Sequence, residues 1–460
     1  MSATRPAAVA GSFYPGDGAT LARDIQGYLG EVQRFDPPLG FPKVLIVPHA
    51  GYVYSGPVAA VAYDAIAPAR GIVRRVVLLG PAHRVAFRGM ALPAADVFAT
   101  PLGTIRVDRG AVGALAGLPQ VVRGDAPHAD EHALEVQLPF LQSVLGEFSL
   151  VPLVVGQASP GEVAQVLEAL WGGPETLMVI STDLSHFHPY DEARGIDQAT
   201  IARIVARSPD VRHEEACGAT PLNGLLALLR ARGLAVTRMA DCNSGDTAGG
   251  RGRVVGYAAF AVYEQTGTGV SASEEQAGPV LLSIARHAIE SRLDMGARVP
   301  PERDAAWLKV CAASFITLTR DGALRGCIGS LEPHRELGRD VTENALAAAF
   351  RDPRFTPVTP ADWPEIRVEV SLLSRPKPVQ FADEAELLTV ITPNIDGLII
   401  AHEGRRATFL PQVWESIPDP RQFLTELRRK AGIPGETPVV RCTLSRYRVT
   451  KWKEPQERVA

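Results

Sequence analysis

Residues 44–63 have the sequence VLIVPHAGYVYSGPVAAVAY, and this stretch decides between a membrane span and a folded α/β segment. It contains no Asp, Glu, Lys or Arg and is long enough to cross a bilayer as a helix. A spanning helix must be continuous, whereas Pro48, Gly51 and Pro57 interrupt this stretch. It therefore predicts a short β-strand, a loop and a helix.

The same alternation continues through the first 266 residues. Short apolar runs, rich in β-branched residues, are separated by helical patterns such as Gly161–Trp171 and Ala193–Ala206. Continuous apolar strands between helices are typical of a mainly parallel sheet covered on both faces, so this part predicts an α/β domain. The further predicted strands are Val76–Leu79, Leu150–Val155, Leu177–Ile180, Val236–Met239 and Val254–Val262.

The second half has a different pattern. Phe315–Thr319 and Leu324–Ile328 flank an Asp-Gly pair, which is a strong hairpin signal. Leu398–Ala401 and Arg406–Leu410 flank His-Glu-Gly in the same way. Hairpins mixed with helical patterns predict a separate α+β domain with antiparallel pairing.

The boundary between the two patterns is the small, polar stretch TGTGVSASEEQAG, residues 266–278. Its composition is typical of a linker. We therefore predict a first domain over 1–266, a linker over 267–276 and a second domain over 277–456.

Composition excludes several classes of protein. The chain has 460 residues, of which 46% are hydrophobic and 21% charged, and this argues against long disorder. Its 47 Lys and Arg against 51 Asp and Glu show no basic excess, so we expect no nucleic-acid partner and no membrane-surface tail. The five cysteines form no CxxC pair, and the N-terminus has no apolar core of a signal peptide. We expect a cytoplasmic protein.

Side chains that can bind metals or move protons follow four of the predicted strands. His49 follows VLIVP and His83 follows VVLLG, while Asp183 and His186 follow LMVIS and Cys242 follows VTRMA. The carboxyl ends of parallel strands meet at one edge of an open sheet, where ligands bind. We therefore expect these side chains to converge.

Three kinds of function are compatible with this set. Two imidazoles and one thiolate could bind Fe, Zn or Cu and leave a coordination position open for catalysis. The same pocket could hold a metal without catalysis, as a scaffold or binding module. A metal-free hydrolase or transferase could instead use Cys242 as nucleophile with His49 or His186 as base. Any one of these residues alone would more often be a loop cap or a small core residue.

Two further features of the first domain have open interpretations. In HADEHALEVQ, residues 128–137, an acidic helix start is the simple account, while Glu131 or His132 could lie at the edge of the site. Cys217, in CGATP, precedes the apolar helix pattern Leu222–Leu229, which favours a packing role over metal binding.

Residues 5–264 resemble the Memo family. The matching segments occur in family order and are long: RPAAVAGSFYP (5–15), PHAGYVYSGPVAA (48–60), LLGPAHR (78–84), DEHALEVQLPFLQ (130–142) and STDLSHFHPY (181–190). That family resembles the class III extradiol dioxygenases, which hold nonheme iron with two His and a carboxylate.

The resemblance implies that His49, His83 and Cys242 are metal ligands and that Asp183 and His186 are acid/base or orienting groups. A thiolate in place of a carboxylate puts ring cleavage in doubt but keeps a metal site, for which we expect Fe in preference to Cu or Zn. His186 lies five residues beyond the strand end and is placed to reach toward a substrate.

Residues 275–455 resemble the AMMECR family, through LRGCIGSLEP (324–333), NALAAAFRDPRF (344–355), IRVEVSLLS (366–374), DGLII (396–400) and ATFLPQVW (407–414). Within them, Cys327 is the candidate functional residue, with Arg325 and Glu369 nearby. Arg325 would favour the thiolate if it shares a strand face with Cys327. The alternative is that Cys327 is a small core residue.

Memo-like, AMMECR-like and radical-SAM proteins form the AmmeMemoRadiSam set, of which this chain resembles two members fused together. It has no CxxxCxxC motif, so the Fe–S component is expected to be a separate radical-SAM partner. The expected substrate is a small molecule or a peptide. The sequence does not indicate the oligomeric state.

Overall fold

The structure is a computed structural model and describes residues 3–33, 39–264, 271–295 and 304–455. The chain forms two compact units. The first domain comprises Met1–Val32 and Phe41–Ser271, and the second comprises Gln33–Gly40 and Ala272–Ala460.

The first domain is a mixed α/β fold, as the sequence predicts. Its strands are β1 Thr4–Arg5, β2 Val44–Val47, β3 Arg75–Pro81, β4 Met90–Leu92, β5 Val97–Thr100, β6 Gly103–Val107, β7 Val121–Arg123, β8 Ser149–Val155, β9 Thr176–Ser181, β10 His186–His188, β11 Val236–Asn243 and β12 Val254–Val262. Its helices are α1 Gly18–Glu31, α2 Tyr52–Ala65, α3 Arg109–Gly113, α4 Ala126–Ala129, α5 His132–Glu135, α6 Leu138–Leu145, α7 Pro160–Ala169, α8 Tyr190–Ala206 and α9 Ala219–Ala231.

The centre of the large sheet consists of four parallel strands in the order β8-β3-β9-β2. Every residue of β2 and β9 is buried, because helices cover both faces and the strands carry apolar side chains throughout. Since the four strands run in one direction, the loops that follow β2, β3 and β9 leave the sheet at the same edge.

Antiparallel strands complete the sheet on both sides. Next to β2 lies β12, which runs antiparallel to it and also pairs with β10 and β11. On the other side, β6 pairs with β8 in parallel and with β5 in antiparallel orientation, and β1 pairs with β5. The sheet is therefore mixed, with a parallel centre.

The second domain is a separate α+β unit with two antiparallel sheets, in the orders β14-β13-β15-β20 and β16-β19-β17-β18. Its strands are β13 Ala313–Arg320, β14 Ala323–Gly329, β15 Ile366–Leu373, β16 Lys377–Pro378, β17 Gly397–His402, β18 Arg405–Phe409, β19 Thr443–Tyr447 and β20 Val449–Lys453. Its helices are α10 Glu274–Arg292, α11 Leu337–Phe350, α12 Glu384–Val390 and α13 Pro420–Ala431.

Both hairpins that the sequence predicts are present in this domain. Asp321 and Gly322 link β13 to β14, and Glu403 and Gly404 link β17 to β18; all four residues have positive φ. Two consecutive left-handed residues match the twist of the flanking strands, which explains why an Asp-Gly or Glu-Gly pair occupies each turn.

Part of the predicted linker, residues 267–270, lies outside the described residues. The remainder differs from the prediction, because α10 begins at Glu274, inside the expected linker. Ser273 caps this helix through a reciprocal bond pattern with Gln276, a capping box that the small, polar composition conceals. None of the helices in the described ranges combines the length and the apolar character that a bilayer-spanning segment requires.

Candidate metal centre

The carboxyl ends of three neighbouring parallel strands supply the first part of the site. His49 follows β2, His83 follows β3 and Asp183 follows β9, and these strands are adjacent in the order β3-β9-β2. The predicted convergence of His49 and His83 is therefore present in the structure. His49 is almost completely buried, whereas His83 is partly exposed.

A third imidazole joins them from a short helix. His132 is the first residue of α5, which packs against the end of β3. A Cβ atom on Gly80 would lie 3.0 Å from the Leu134 side chain and 3.1 Å from Cβ of Ala133. Glycine at this position of β3 therefore lets α5 pack closely and bring its histidine to the sheet edge.

The three histidines form a compact group. One ring nitrogen from each of His49, His83 and His132 lies within 4.8 Å of the others. The ring centroids are 4.6 Å apart for His83 and His132, 5.2 Å for His49 and His83, and 5.3 Å for His49 and His132. Across the described ranges, these are the residues whose ligand atoms approach one another in this way.

A buried hydrogen-bond chain fixes the tautomer of His49. The Ser181 hydroxyl donates to the carbonyl of Ala133 at 2.6 Å and accepts from the Gln137 amide at 2.8 Å. Nδ1 of His49 lies 2.9 Å from the same oxygen, whose proton is already used, so Nδ1–H must donate. The lone pair of His49 is consequently on Nε2. Tyr63 holds the Gln137 amide by donating to its oxygen.

Glu131 orients His83. Its carboxylate accepts from Nδ1 of His83 at 2.8 Å and from the backbone N–H of His83 at 2.6 Å. It also accepts from the N–H of Ala133, as the cap of α5. A carboxylate on Nδ1 of an imidazole fixes the ring and leaves Nε2 as the free lone pair, an arrangement common behind metal-bound histidines.

Burial favours the neutral form of the imidazoles of His49 and His132. It lowers the pKa of His49 well below the usual range, and His83 adds to the effect. It also lowers the pKa of His132 to about 4, with help from His49 and His83. Burial opposes ionisation of Glu131, but the hydrogen bond and charge of His83 outweigh it and hold the pKa of Glu131 at about 2. At neutral pH the group thus presents neutral imidazoles at His49 and His132 and a carboxylate at Glu131.

A cysteine lies against this group, and it is Cys217. Its Sγ is 3.3 Å from Nε2 of His49 and 3.3 Å from the backbone nitrogen of Asp183. Burial raises the pKa of the Cys217 thiol to about 12, so the thiol is the donor to His49. A Cβ on Gly218 would lie 2.6 Å from Cβ of Thr182, so this glycine lets the cysteine segment approach the end of β9.

Cys242 lies elsewhere, in a different position from that expected. It belongs to β11, opposite Tyr257 of β12, rather than to a loop beyond the strand. Because β12 separates β11 from β2, the strand spacing places it about 10 Å from the strand that carries His49. Its side chain lines a cavity of about 240 Å³ together with Tyr190, Arg194, Asp197, Gln198, Asp241, Asn243, Asp246 and Tyr257.

Asp183 and His186, which the sequence predicts as orienting or acid/base residues, lie near enough to the group to affect the pKa values of its members. One oxygen of Asp183 accepts from the backbone N–H of His49 at 2.7 Å, and the other is 4.0 Å from Nε2 of that histidine. Burial raises the pKa of Asp183. Nδ1 of His186 donates to the Leu184 carbonyl at 2.9 Å, because a carbonyl oxygen can only accept.

The residues present suit a transition metal. Nδ1 of His132 is buried 3.3 Å from an oxygen of Glu131, so the carboxylate that accepts from His83 also lies beside this ring. Neutral imidazoles with a thiol beside them match the preferences of Zn, Cu or Fe rather than of Mg or Ca.

Two of the three second-domain candidates, Cys327 and Glu369, lie on one face of the β14-β13-β15-β20 sheet. Thr317 lies opposite Cys327 on one side and opposite Glu369 on the other, so these three share a face. The Thr317 hydroxyl lies 3.4 Å from Sγ of Cys327, and Glu369 pairs with Lys453 at 2.8 Å. The structure therefore brings Cys327 and Glu369 to a common surface, separated by one strand.

Arg325 does not share that arrangement, because it is the extra residue of a bulge between the pairs Leu318–Gly326 and Thr319–Leu324. Its guanidinium donates to the Thr356 carbonyl at 2.8 Å. The cation beside Cys327 is Arg354, which donates to the Cys327 carbonyl at 3.1 Å and to Asp352 at 2.7 Å.

Fold and site together define the first domain as an α/β protein with a metal-capable histidine group at the carboxyl edge of a parallel sheet. Residues 5–261 match the family model described as Memo-like protein, and residues 282–452 match the model AMMECR1. The chain belongs to the Memo family, with an AMMECR1 domain fused after it.

Proteins similar to the first domain occur in archaea and animals. A MEMO1 family protein of Ignicoccus hospitalis is 35% identical over 277 residues, 55% of this chain and 97% of that protein. Protein MEMO1 of Rattus norvegicus is 31% identical over 251 residues, 48% of this chain and 83% of that protein. Among solved structures compared with the whole chain, that of an uncharacterized protein, PH0010 from Pyrococcus horikoshii, aligns with a TM-score of 0.34 and 31% identity over 38% of this chain and 91% of that one.

Two residues of the site were not predicted as ligands from the sequence. His132 is in a helix that begins after a four-residue helix, α4, and Cys217 precedes α9, so neither follows a strand. Each has one signal beside it in the sequence. Glu131, directly before His132, caps α5 and also orients His83. Gly218, directly after Cys217, permits the close approach of the cysteine segment to β9.

Proposed function

We propose that the first domain binds a transition metal through His49, His83 and His132, with the Cys217 thiol as a further donor, and that the chain is a nonheme metal oxidoreductase. Iron is favoured over copper or zinc. The observation that carries the proposal is the group of three ring nitrogens within 4.8 Å, held by partners that leave lone pairs free.

The surrounding residues have distinct roles in this proposal. Ser181 and Glu131 hold the imidazoles of His49 and His83 in one tautomer. Asp183 and His186 supply proton transfer at the edge of the group, since neither is needed to complete it. A bound metal would supply Lewis acidity and, if it is iron or copper, one-electron chemistry. The radical-SAM partner and a small-molecule or peptide substrate in the cytoplasm belong to the same proposal, by resemblance to the AmmeMemoRadiSam set.

The metal content of protein purified without an affinity tag, under anaerobic conditions, tests the proposal. We expect stoichiometric metal in the wild type and its loss in His49→Ala and His83→Ala. His186→Ala should retain the metal and lose any activity found. Absence of bound Fe, Cu or Zn from the wild type, also after reconstitution, would refute metal binding.

Cobalt substitution identifies the thiol. A cysteine ligand gives Co(II) a sulfur charge-transfer band in the near ultraviolet. We expect Cys217→Ala to abolish this band and Cys242→Ala, the matched control, to retain it. The reverse result would assign the thiol to Cys242, as the sequence prediction has it.

One observation favours a second candidate, a metal-free hydrolase or transferase. Cys217 and His49 are in contact, as a nucleophile and its base would be. However, burial raises the pKa of the Cys217 thiol and lowers that of His49, which opposes proton transfer between them. A non-catalytic metal-holding module is the remaining alternative, and it predicts metal binding with no activity lost in His186→Ala.

In the second domain we propose that Cys327 is a reactive or ligand-contacting thiol. It is partly exposed on an open sheet face, beside the Thr317 hydroxyl, with Glu369 on the next strand. The nearby cation is the guanidinium of Arg354, in place of Arg325, and it donates to the Cys327 carbonyl.

A further inference from the structure

Residues 5–14, which we call the N-terminal strap, begin with Arg5. Its side chain forms a buried ion pair with Glu135 next to the metal centre. Arg5 and Glu135 are 5% and 0% exposed, and the guanidinium contacts the carboxylate directly. A buried pair of this kind is costly unless its remaining donors and acceptors are also satisfied. Here the donors of Arg5 are satisfied by carbonyls of the segment that carries Glu131 and His132, and the acceptors of Glu135 by groups of the strap.

Arg5 forms hydrogen bonds with the backbone of the segment that carries Glu131 and His132. Its Nε donates to the carbonyl of His128 at 3.0 Å, and its Nη2 donates to the carbonyl of Glu131 at 2.7 Å. The backbone of Arg5 is itself fixed, because β1 pairs with β5. The planar guanidinium therefore sets the position of the loop between α4 and α5.

Glu135 in turn accepts hydrogen bonds from the strap. Its carboxylate accepts from the backbone N–H groups of Ala8 at 2.7 Å and Val9 at 3.0 Å, and from the Tyr14 hydroxyl. Burial raises the pKa of Tyr14, and the bond to Glu135 adds to it, so the hydroxyl remains a donor. Both ends of the strap are consequently tied to α5.

Between these ties, the strap contacts one histidine, His132, and the start of the helix that follows His49. The Phe13 ring lies on His132, with centroids 4.7 Å apart. The Phe13 carbonyl accepts from the N–H of Tyr52 at 2.8 Å, the first residue of α2, which begins three residues after His49. The third histidine, His83, is reached through Glu131.

We propose that the N-terminal strap is a structural part of the metal centre and that Arg5 and Glu135 are positioning residues, which set His132 and Glu131 for metal binding. The inference rests on the proposed function. It adds that the metal affinity of the centre depends on the side chain of Arg5, which contacts none of the three imidazoles.

Cobalt binding to the full chain tests this. Arg5→Met should weaken Co(II) binding by about 10- to 100-fold, the range for residues that orient metal ligands, and change the visible Co(II) spectrum as His132 leaves. Phe13→Ala removes the ring on His132 but keeps the ion pair, and should weaken binding in the same direction.

Arg109→Met is the matched control, since Arg109 also contacts three carbonyls and a carboxylate, Asp96, and none of these belongs to the histidine group. It should lower the melting temperature and leave the Co(II) affinity and spectrum unchanged. Wild-type affinity in both Arg5→Met and Phe13→Ala, or an equal loss in Arg109→Met, would overturn the inference. If Arg5→Met does not fold, Phe13→Ala decides. Failure of the wild type to bind Co(II) would instead count against the proposed function.

Discussion

Replacing Ser181 by Ala should destabilise the first domain and weaken its metal site together. The Ser181 hydroxyl, which is fully buried, forms three hydrogen bonds: with His49, with Gln137 and with the Ala133 carbonyl. At a net value of about 1 kcal/mol for each bond, the free energy of unfolding should fall by about 3 kcal/mol. Loss of the acceptor on Nδ1 also frees the His49 ring to change tautomer.

The assay is urea unfolding of the metal-free protein, together with Co(II) titration. Ser185→Ala is a matched control, because Ser185 is also fully buried but its hydroxyl interacts with Asp197 and lies outside the network of His49, Gln137 and Ala133. We expect a loss of about 1 kcal/mol for the control. For Ser181→Ala we expect Co(II) binding to weaken by about tenfold or more.

Equal stability of the two variants would refute the argument that Ser181 is the hub of the buried network. A stability loss in Ser181→Ala without any change in Co(II) affinity would show that His49 keeps its tautomer by other means. In that case the role assigned to Ser181 would be structural alone.

Gly218→Ala should move the cysteine segment and remove the sulfur band of the Co(II) protein, with a stability loss of about 1–3 kcal/mol; Gly195→Ala, in a helix with open space around it, should be neutral or stabilising, and a band of wild-type intensity in Gly218→Ala would contradict this. Arg354→Met should slow alkylation of Cys327 by iodoacetamide about threefold or more, because the Asp352 carboxylate, which accepts from the Cys327 backbone N–H, then loses the cation that pairs with it. Arg351→Met should not slow the reaction, and equal rates in all three proteins would disprove the role of Arg354.

The architecture was predictable because its signals are local. Four consecutive apolar residues at 44–47 indicate a strand buried on both faces, and β2 is exactly such a strand in the sheet centre. Asp321-Gly322 indicates a hairpin by turn chemistry alone. The start of α10 was missed because Ser273 and Gln276 act as a cap, while their composition is that of a linker.

Two of the three histidines in the group were predictable for a topological reason. His49 and His83 each follow a strand, and adjacent parallel strands must bring their carboxyl ends together. Cys242 also follows an apolar run, but the strand continues to Asn243 and lies beyond β12, and no local pattern encodes that neighbour relation. His132 and Cys217 reach the site through close approaches at Gly80 and Gly218, which depend on tertiary packing.

The residues around the histidines explain why such a site can exist inside a protein core. A buried imidazole must be neutral, and burial alone does not determine which nitrogen keeps the proton. Ser181 and Glu131 make that choice for His49 and His83, each by accepting from Nδ1. Because both Nδ1 protons point away from the group, the Nε2 atoms of His49 and His83 face it with their lone pairs. The only thiol in contact with His49 in the described residues, that of Cys217, still carries its proton, so it is the donor whose charge state must change if it is to bind a metal as a thiolate.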